Sequence, residues 1–306
     1  MDEILLTHPI NPEELLWFLS RGFDDPIYSV RENSIFRAFL FADKKFLVKI
    51  TPGTRSVKIE WLCGERTEEN AAFVKSFISE WFDLEEDITS FYELLKADDR
   101  LSYMAEEFYG LKLVGMPDLF EALAWAIIGQ QINLTFAYKI KRRLIEKYGD
   151  YINHDSSRYY IFPSPGTIAA ADIEDLRKMQ LSGSKTAYLK NIALAFIEGK
   201  IDKTILRSLP DSVSRRNLLT AQKGIGVWTA NYVLMKSLRD QTAVPFGDAG
   251  LINALLNHGI IANKTELQDM HQLFERFKGW EAYLVFYLWR SLAPKPDNPL
   301  ISIESN

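Results

Sequence analysis

The chain has little of what would cross-link it or bind a metal. Its 306 residues include one cysteine, Cys63. A lone thiol cannot close an internal disulfide, nor supply the several thiolates of a zinc or iron–sulfur site. Such sparing cysteine use fits a reducing compartment. Histidine is scarce too: His8, His154, His258 and His271 are scattered, without the H-E-x-x-H spacing of a zinc hydrolase. No hydrophobic run is long enough to span a bilayer, and the most apolar stretches, residues 120–128 and 282–289, fall well short of about 20 residues. The N-terminus carries Asp2 and Glu3 and no lysine or arginine up to Pro12, the wrong start for a secretory or transit peptide. Repeats and low-complexity tracts are missing as well. Together these absences predict a soluble cytoplasmic protein without a membrane partner.

An apolar fraction of 47% and a charged fraction of 25% are ordinary for a globular protein that buries a substantial core. The net charge of −5 argues mildly against a nucleic-acid partner. Its distribution argues the other way: residues 177–239 hold twelve Lys and Arg against three Asp and Glu. A basic segment in an acidic chain suits a localised nucleic-acid face, although solvated helix faces would give the same count.

The pattern predicts a mixed, mostly α fold. Residues 34–41, 46–51 and 56–62 read as short strands, with β-branched and aromatic residues at alternating positions. Turn signals at 42–44 and 52–53 separate them, and a helix over 12–19 precedes them. This is a small N-terminal α/β domain on an antiparallel sheet, residues 1–110. From about residue 68 the pattern turns helical and stays so to 292. Helices are expected over 120–148, 172–179, 185–197, 211–220, 226–238, 249–257, 265–277 and 281–292. Residues 111–306 are therefore an all-α region, divisible into two helical subdomains with a cleft between them.

The most specific segment is LLTAQKGIGVWTANY, residues 218–232. A helix ends near Gln222, and a new one starts at Gly226. Two glycines around one aliphatic residue suit a tight turn in which Ile225 plugs into the core. Gly224 and Gly226 keep side chains away from a phosphate, and the amides at the new helix start favour an anion. Downstream, in QTAVPFGDAGLI, Pro245 and Gly247 break an apolar stretch and Asp248 stands at the next helix start. An aspartate there is often a plain helix cap, its carboxylate accepting from the unpaired amides of the first turn. Asp240, in a polar loop without a helix start, is the reserve candidate. Trp228 and Tyr232 lie four residues apart on one helix face, and Trp289 sits in the last helix. Gly129 interrupts a helical run before Gln130 and Gln131. Ser182, Gly183 and Ser184 form a turn before Lys185.

These segments resemble the helix–hairpin–helix superfamily of DNA glycosylases, most nearly its 3-methyladenine DNA glycosylase II group. The resemblance covers residues 117–290 by motif and the N-terminal sheet more loosely. It implies a helix–hairpin–helix glycosylase core and duplex DNA as partner, with a monomer expected. It makes Asp248 the catalytic carboxylate. Trp228, Tyr232 and Trp289 become the walls around a flipped base, where electron-rich rings favour a cationic purine. Gln131 becomes the wedge that fills the vacated stack. Lys223, Gly224, Gly226 and Lys185 become phosphate contacts. The family's hairpin carbonyls, here those of Thr220, Gln222 and Ile225, hold a monovalent cation, Na+ or K+, and no cofactor serves catalysis. Base loss leaves an oxocarbenium-like sugar that one carboxylate can stabilise while orienting water. N-alkylated purines of the 3-methyladenine and 7-methylguanine type are the implied substrates. Strand-cleaving relatives carry a Schiff-base lysine two residues after the second hairpin glycine; Trp228 stands there, which implies a strand-sparing enzyme. The chain departs from the family at Lys223, usually proline, and in having two residues instead of one between Pro245 and the aspartate. A glycosylase with another base preference and a non-catalytic DNA-structure-binding protein are the alternatives; the latter needs the hairpin without Asp248 or the aromatic set.

Overall fold

The computed structural model describes residues 1–23, 25–264 and 267–293. The chain opens with β1 (Asp2–Leu5), α1 (Pro12–Leu19) and β2 (Tyr28–Arg31), then β3 (Ser34–Phe41), β4 (Lys44–Pro52) and β5 (Ser56–Cys63). These five strands form one antiparallel sheet in the order β1-β5-β4-β3-β2. The predicted break at residues 42–44 is a two-residue hairpin, with Ala42 and Asp43 at φ 47° and 61° between the paired Phe41 and Lys44. Left-handed backbone at both positions matches the twist of the flanking strands. The edge strand β1 was not among the predicted elements.

Alternation sorts the sheet's side chains onto two faces. Phe39 and Phe46 point to α2 (Glu68–Phe82), where Phe39 meets Phe73 and Phe77 edge-on at 5.9 and 5.0 Å. Ala38 and Leu47 point the other way and bury Ile152 and Tyr159. Those two residues belong to a hairpin, β6 (Asp150–His154) and β7 (Ser157–Ile161), that covers the sheet's second face. The uninterrupted helical reading of residues 68–292 is corrected here. The strands are only five residues each, and their turn, Asp155 and Ser156 at φ 45° and 59°, uses no glycine.

After α3 (Thr89–Lys96) and α4 (Met104–Glu107) comes the helical core. The expected helix over 120–148 is two helices, α5 (Leu119–Gly129) and α6 (Leu134–Tyr148), and Asn133 caps the second by accepting from the Phe136 amide at 2.9 Å. Every residue of α5 from Leu119 to Ile128 is buried, so the helix is enclosed on all sides. Next are α7 (Pro165–Ala170), α8 (Ile173–Lys178), α9 (Gly183–Ile197), α10 (Lys203–Ser208), α11 (Ser212–Thr220) and α12 (Val227–Val233). The last of these continues into a π-helical turn over Leu234–Leu238. Helices α13 (Ala249–Asn257), α14 (Leu267–Arg276) and α15 (Glu281–Ser291) follow. Of the helix expected over 265–277, Thr265 and Glu266 lie outside the described residues. No described helix is long and apolar enough to cross a membrane.

Buried charge pairs hold the sheet domain to the core. Arg290 of α15 donates to Glu14 of α1 at 2.7 Å. Lys141 of α6 donates to Asp25 at 2.6 Å and to Glu121 of α5 at 3.0 Å, and Arg37 of β3 also reaches Glu121 at 3.4 Å. Deleting one partner of such a pair strands a buried charge, at a cost of about 3–5 kcal/mol. These pairs fix how the two parts meet around the site.

Candidate active site

The hairpin between α11 and α12 has the shape its glycines predict. Gly224 sits at φ +100°, and a Cβ there would lie 2.2 Å from the Tyr188 ring of α9, so only glycine fits. Ile225 is buried and its amide closes the turn on the Gln222 carbonyl at 3.1 Å. Gly226 occupies the cap position of α12, makes no side-chain cap and faces open space. The first amides of α12 therefore point outward without an internal acceptor. Lys223 is exposed beside them. Among the described residues no amide donates to the carbonyls of Thr220 or Ile225, while that of Gln222 already accepts from Ile225. Unclaimed carbonyl oxygens are the donor chemistry a monovalent cation needs.

Asp248 is delivered by a second turn. Its amide donates to the Pro245 carbonyl at 3.0 Å, with Gly247 at φ +86° as the third residue of the turn. This is a glycine-dependent turn led by proline. It absorbs the extra residue between Pro245 and the aspartate. Asp248 then caps α13: Oδ1 accepts from the Leu251 amide at 2.8 Å. The same oxygen accepts from the Trp289 indole at 2.9 Å. Among the described residues Oδ2 accepts no hydrogen bond, and Asp248 is half-buried. Gly250 makes room for this contact; a Cβ on it would lie 3.0 Å from Asp248 Oδ1 and 3.2 Å from the indole.

The aromatic residues form a continuous wall. The rings of Trp228 and Tyr232 stack at 5.5 Å and 19°, and Tyr232 meets Trp289 at 6.2 Å. The Tyr232 hydroxyl accepts from the Trp125 indole at 3.0 Å, and burial pushes its pKa above the ordinary phenol range, so it stays neutral. The wall runs on through Tyr138, 4.5 Å from Trp125, to Phe23 of the sheet domain, 5.0 Å from Tyr138. Trp125, Tyr138 and Phe23 were not among the predicted site residues. Trp125 lies in the apolar stretch 120–128 that the sequence marked only for its hydrophobicity, and only the fold brings Phe23 toward it through Tyr138. A buried amide ties the wall to the carboxylate: Asn231, between Trp228 and Tyr232, donates to the Val244 carbonyl at 2.7 Å. That bond anchors the segment leading to Asp248.

Gln131 is exposed at φ 55° in the turn between α5 and α6. Lys185, which the resemblance makes a phosphate contact, is half-buried and donates one ammonium hydrogen to the Ile128 carbonyl at 2.8 Å, at the end of α5. The reserve candidate Asp240 is excluded: it is buried, and it accepts from Arg215 at 3.0 Å and from the Thr242 hydroxyl at 2.8 Å. Both oxygens are thus committed to the fold.

Residues 124–279 match the family of HhH-GPD superfamily base excision DNA repair proteins, and residues 20–123 match the N-terminal domain of 8-oxoguanine DNA glycosylase. A relative from Bacillus subtilis (strain 168), a DNA-3-methyladenine glycosylase, is 35% identical over 296 residues, covering 95% of this chain and 97% of its own. The solved 3-methyladenine DNA-glycosylase from Archaeoglobus fulgidus superposes with a TM-score of 0.81 at 26% identity, over 95% of this chain and 98% of its own. The 8-oxoguanine glycosylase/lyase of Clostridium acetobutylicum, at 20% identity and a TM-score of 0.70 over 88% of each chain, shares the fold. With hairpin, capped aspartate and sheet domain all in place, the chain belongs to the HhH-GPD superfamily and is a DNA glycosylase of base excision repair.

Proposed function

We propose that this glycosylase is monofunctional: it flips N-alkylated purines of the 3-methyladenine and 7-methylguanine type out of duplex DNA and leaves an abasic site. It acts as a monomer in the cytoplasm. The observation that carries the reading is Asp248: two donors hold Oδ1, Oδ2 accepts no hydrogen bond among the described residues, and its indole partner Trp289 ends a series of rings running through Tyr232 to Trp228. The names of the Bacillus and Archaeoglobus relatives point to the same substrate class.

In this reading the open amides of α12 and Lys223 grip a phosphate at Gly224 and Gly226. A Na+ or K+ ion on the carbonyls of Thr220, Gln222 and Ile225 would add positive charge at that phosphate. Gln131 fills the gap in the stack, and the aromatic wall receives the flipped base. The alkylated base already carries positive charge, so when the C1′–N bond breaks, the electron pair leaves with a neutral base. Asp248 Oδ2 stabilises the sugar cation and orients water. The water oxygen bonds to C1′ and its proton passes to the carboxylate or solvent. A Schiff base needs an amine, and Trp228 stands where strand-cleaving relatives carry lysine.

The test is base release from methylated duplex DNA by the wild type and Asp248→Asn. Release by the wild type alone supports the reading; equal release by both removes Asp248 from the chemistry. A covalent DNA adduct trapped by borohydride would refute the monofunctional assignment. The match to the 8-oxoguanine glycosylase N-terminal domain favours a second reading, an oxidised purine as substrate. Release from an 8-oxoguanine duplex instead of a methylated one would establish it.

A further inference from the structure

The turn that carries Gln131 is weakly held by its own backbone. The Gln130 amide reaches Ile127 at 3.3 Å, and the Ile132 amide reaches Gly129 only at 3.5 Å. Gln131 adopts φ 55°, a conformation that non-glycine residues keep only when their surroundings impose it. Two side chains hold the residues on its N-terminal side. Lys185 holds the Ile128 carbonyl from one side. From the other, the half-buried Gln130 donates its side-chain amide to the Gly224 carbonyl and to the Thr229 hydroxyl, both at 3.1 Å. The two hydrogens of that amide match these two acceptors. Gly224 belongs to the hairpin and Thr229 to the first turn of α12. One side chain therefore bridges the hairpin and the wedge turn, elements about a hundred residues apart in sequence.

We propose that Gln130 is a positioning residue that makes the hairpin and the wedge turn one unit, so that docking of the hairpin on the DNA backbone delivers Gln131 into the duplex. The inference rests on the assignment of Gln131 and the hairpin given above. Gln130 need not touch DNA: it transmits the hairpin's position to the neighbouring residue. Its loss should spare the grip on the backbone and impair base flipping.

The experiment is a double-mutant cycle of Gln130→Met, Gln131→Ala and the double variant, in the full chain. Three quantities are read: affinity for undamaged duplex, unstacking of a fluorescent base analogue at a mismatch, and single-turnover base release from methylated duplex. Gln130→Met is expected to keep undamaged-DNA affinity within about twofold and to lower unstacking and release about tenfold, the loss of one to two hydrogen bonds. The double variant should match Gln131→Ala within about twofold, because residues acting as one unit are not additive. Effects that multiply in the double variant overturn the proposal. So does a loss of undamaged-DNA affinity that parallels the loss of release. If Gln130→Met does not fold, Gln130→Asn, whose shorter amide cannot span both acceptors, is expected to give the same cycle. A wild type that releases no methylated base sinks the substrate assignment, yet the unstacking cycle still decides on Gln130.

Discussion

Two helix starts face the site, and they use similar backbones for opposite ends. Each follows a tight turn with a glycine at positive φ, Gly224 at +100° and Gly247 at +86°. The start of α12 is capped by Gly226, which brings no side chain, so its amides remain open to an incoming anion. The start of α13 is capped by Asp248, which satisfies the helix from within. One oxygen of that carboxylate is spent on the helix and the indole, and the other accepts no hydrogen bond among the described residues. What a helix terminus offers a ligand is therefore set by the single residue at its cap.

Exchanging those caps would sharpen the contrast. Asp248→Asn keeps a side-chain oxygen for the Leu251 amide but removes the charge. Base release is expected to fall by about two to three orders of magnitude, as for loss of a group that stabilises transition-state charge, with thermal stability little changed. Asp248→Ala should lose activity equally and also cost about 1 kcal/mol of stability, measured by denaturant unfolding. Gly226→Asp converts the open helix start into a closed one. The site is at φ −86° with open space for the new side chain, so the fold should hold or gain a few tenths of a kcal/mol. Duplex affinity should drop about tenfold at low salt, and the deficit should shrink as salt screens the added charge. An unchanged affinity would show that the hairpin does not grip phosphate.

A smaller effect separates the two jobs of Trp289. Trp289→Phe keeps an aromatic ring but loses the indole N–H to Asp248. A roughly threefold to tenfold fall in single-turnover release, with binding of an abasic-site duplex unchanged, would assign the indole to the carboxylate rather than to the base. The smallest effect on activity is expected at Lys236, in the π-helical turn at the far end of α12. Burial, with Arg21 adding to it, lowers its pKa from the usual lysine range to about 7. The folded state therefore binds this proton less readily than the unfolded chain. Lys236 should make stability rise as pH climbs from about 7 toward the unfolded lysine value, and add no slope below that window. Lys236→Met is expected to flatten that part of the profile, compared by thermal unfolding at pH 7 and pH 9 with release at pH 7 held constant.

Much of this was legible from spacing alone. Alternation located β3, β4 and β5, glycines located the hairpin, and a proline–glycine pair located the start of α13. These are local signals, set by backbone preferences within a few residues. The β6–β7 hairpin escaped because its strands are short, its turn lacks glycine, and its partner is the sheet domain about a hundred residues earlier. Lys185 and Asp240 show the same limit at single residues. Lys185 lies in the first turn of α9 and Asp240 in a loop, and only the packing of distant segments shows that the first holds the end of α5 and the second holds Arg215.

The sequence by itself determined that two helices flank a glycine hairpin, that an aspartate starts the next helix, and that a tryptophan, Trp228, follows the second hairpin glycine by two residues. Periodicity and cap preferences act over three or four residues, so a linear reading captures them. Only the tertiary structure decided which oxygen of Asp248 bears the helix bond, that Trp289 bonds to the same oxygen from 41 residues away, and that the Gln130 side chain bonds to the hairpin. Those bonds form because packed helices bring polar groups from distant segments within hydrogen-bonding reach of one another. Which groups meet depends on how α5, α12, α13 and α15 pack, and no local pattern encodes that.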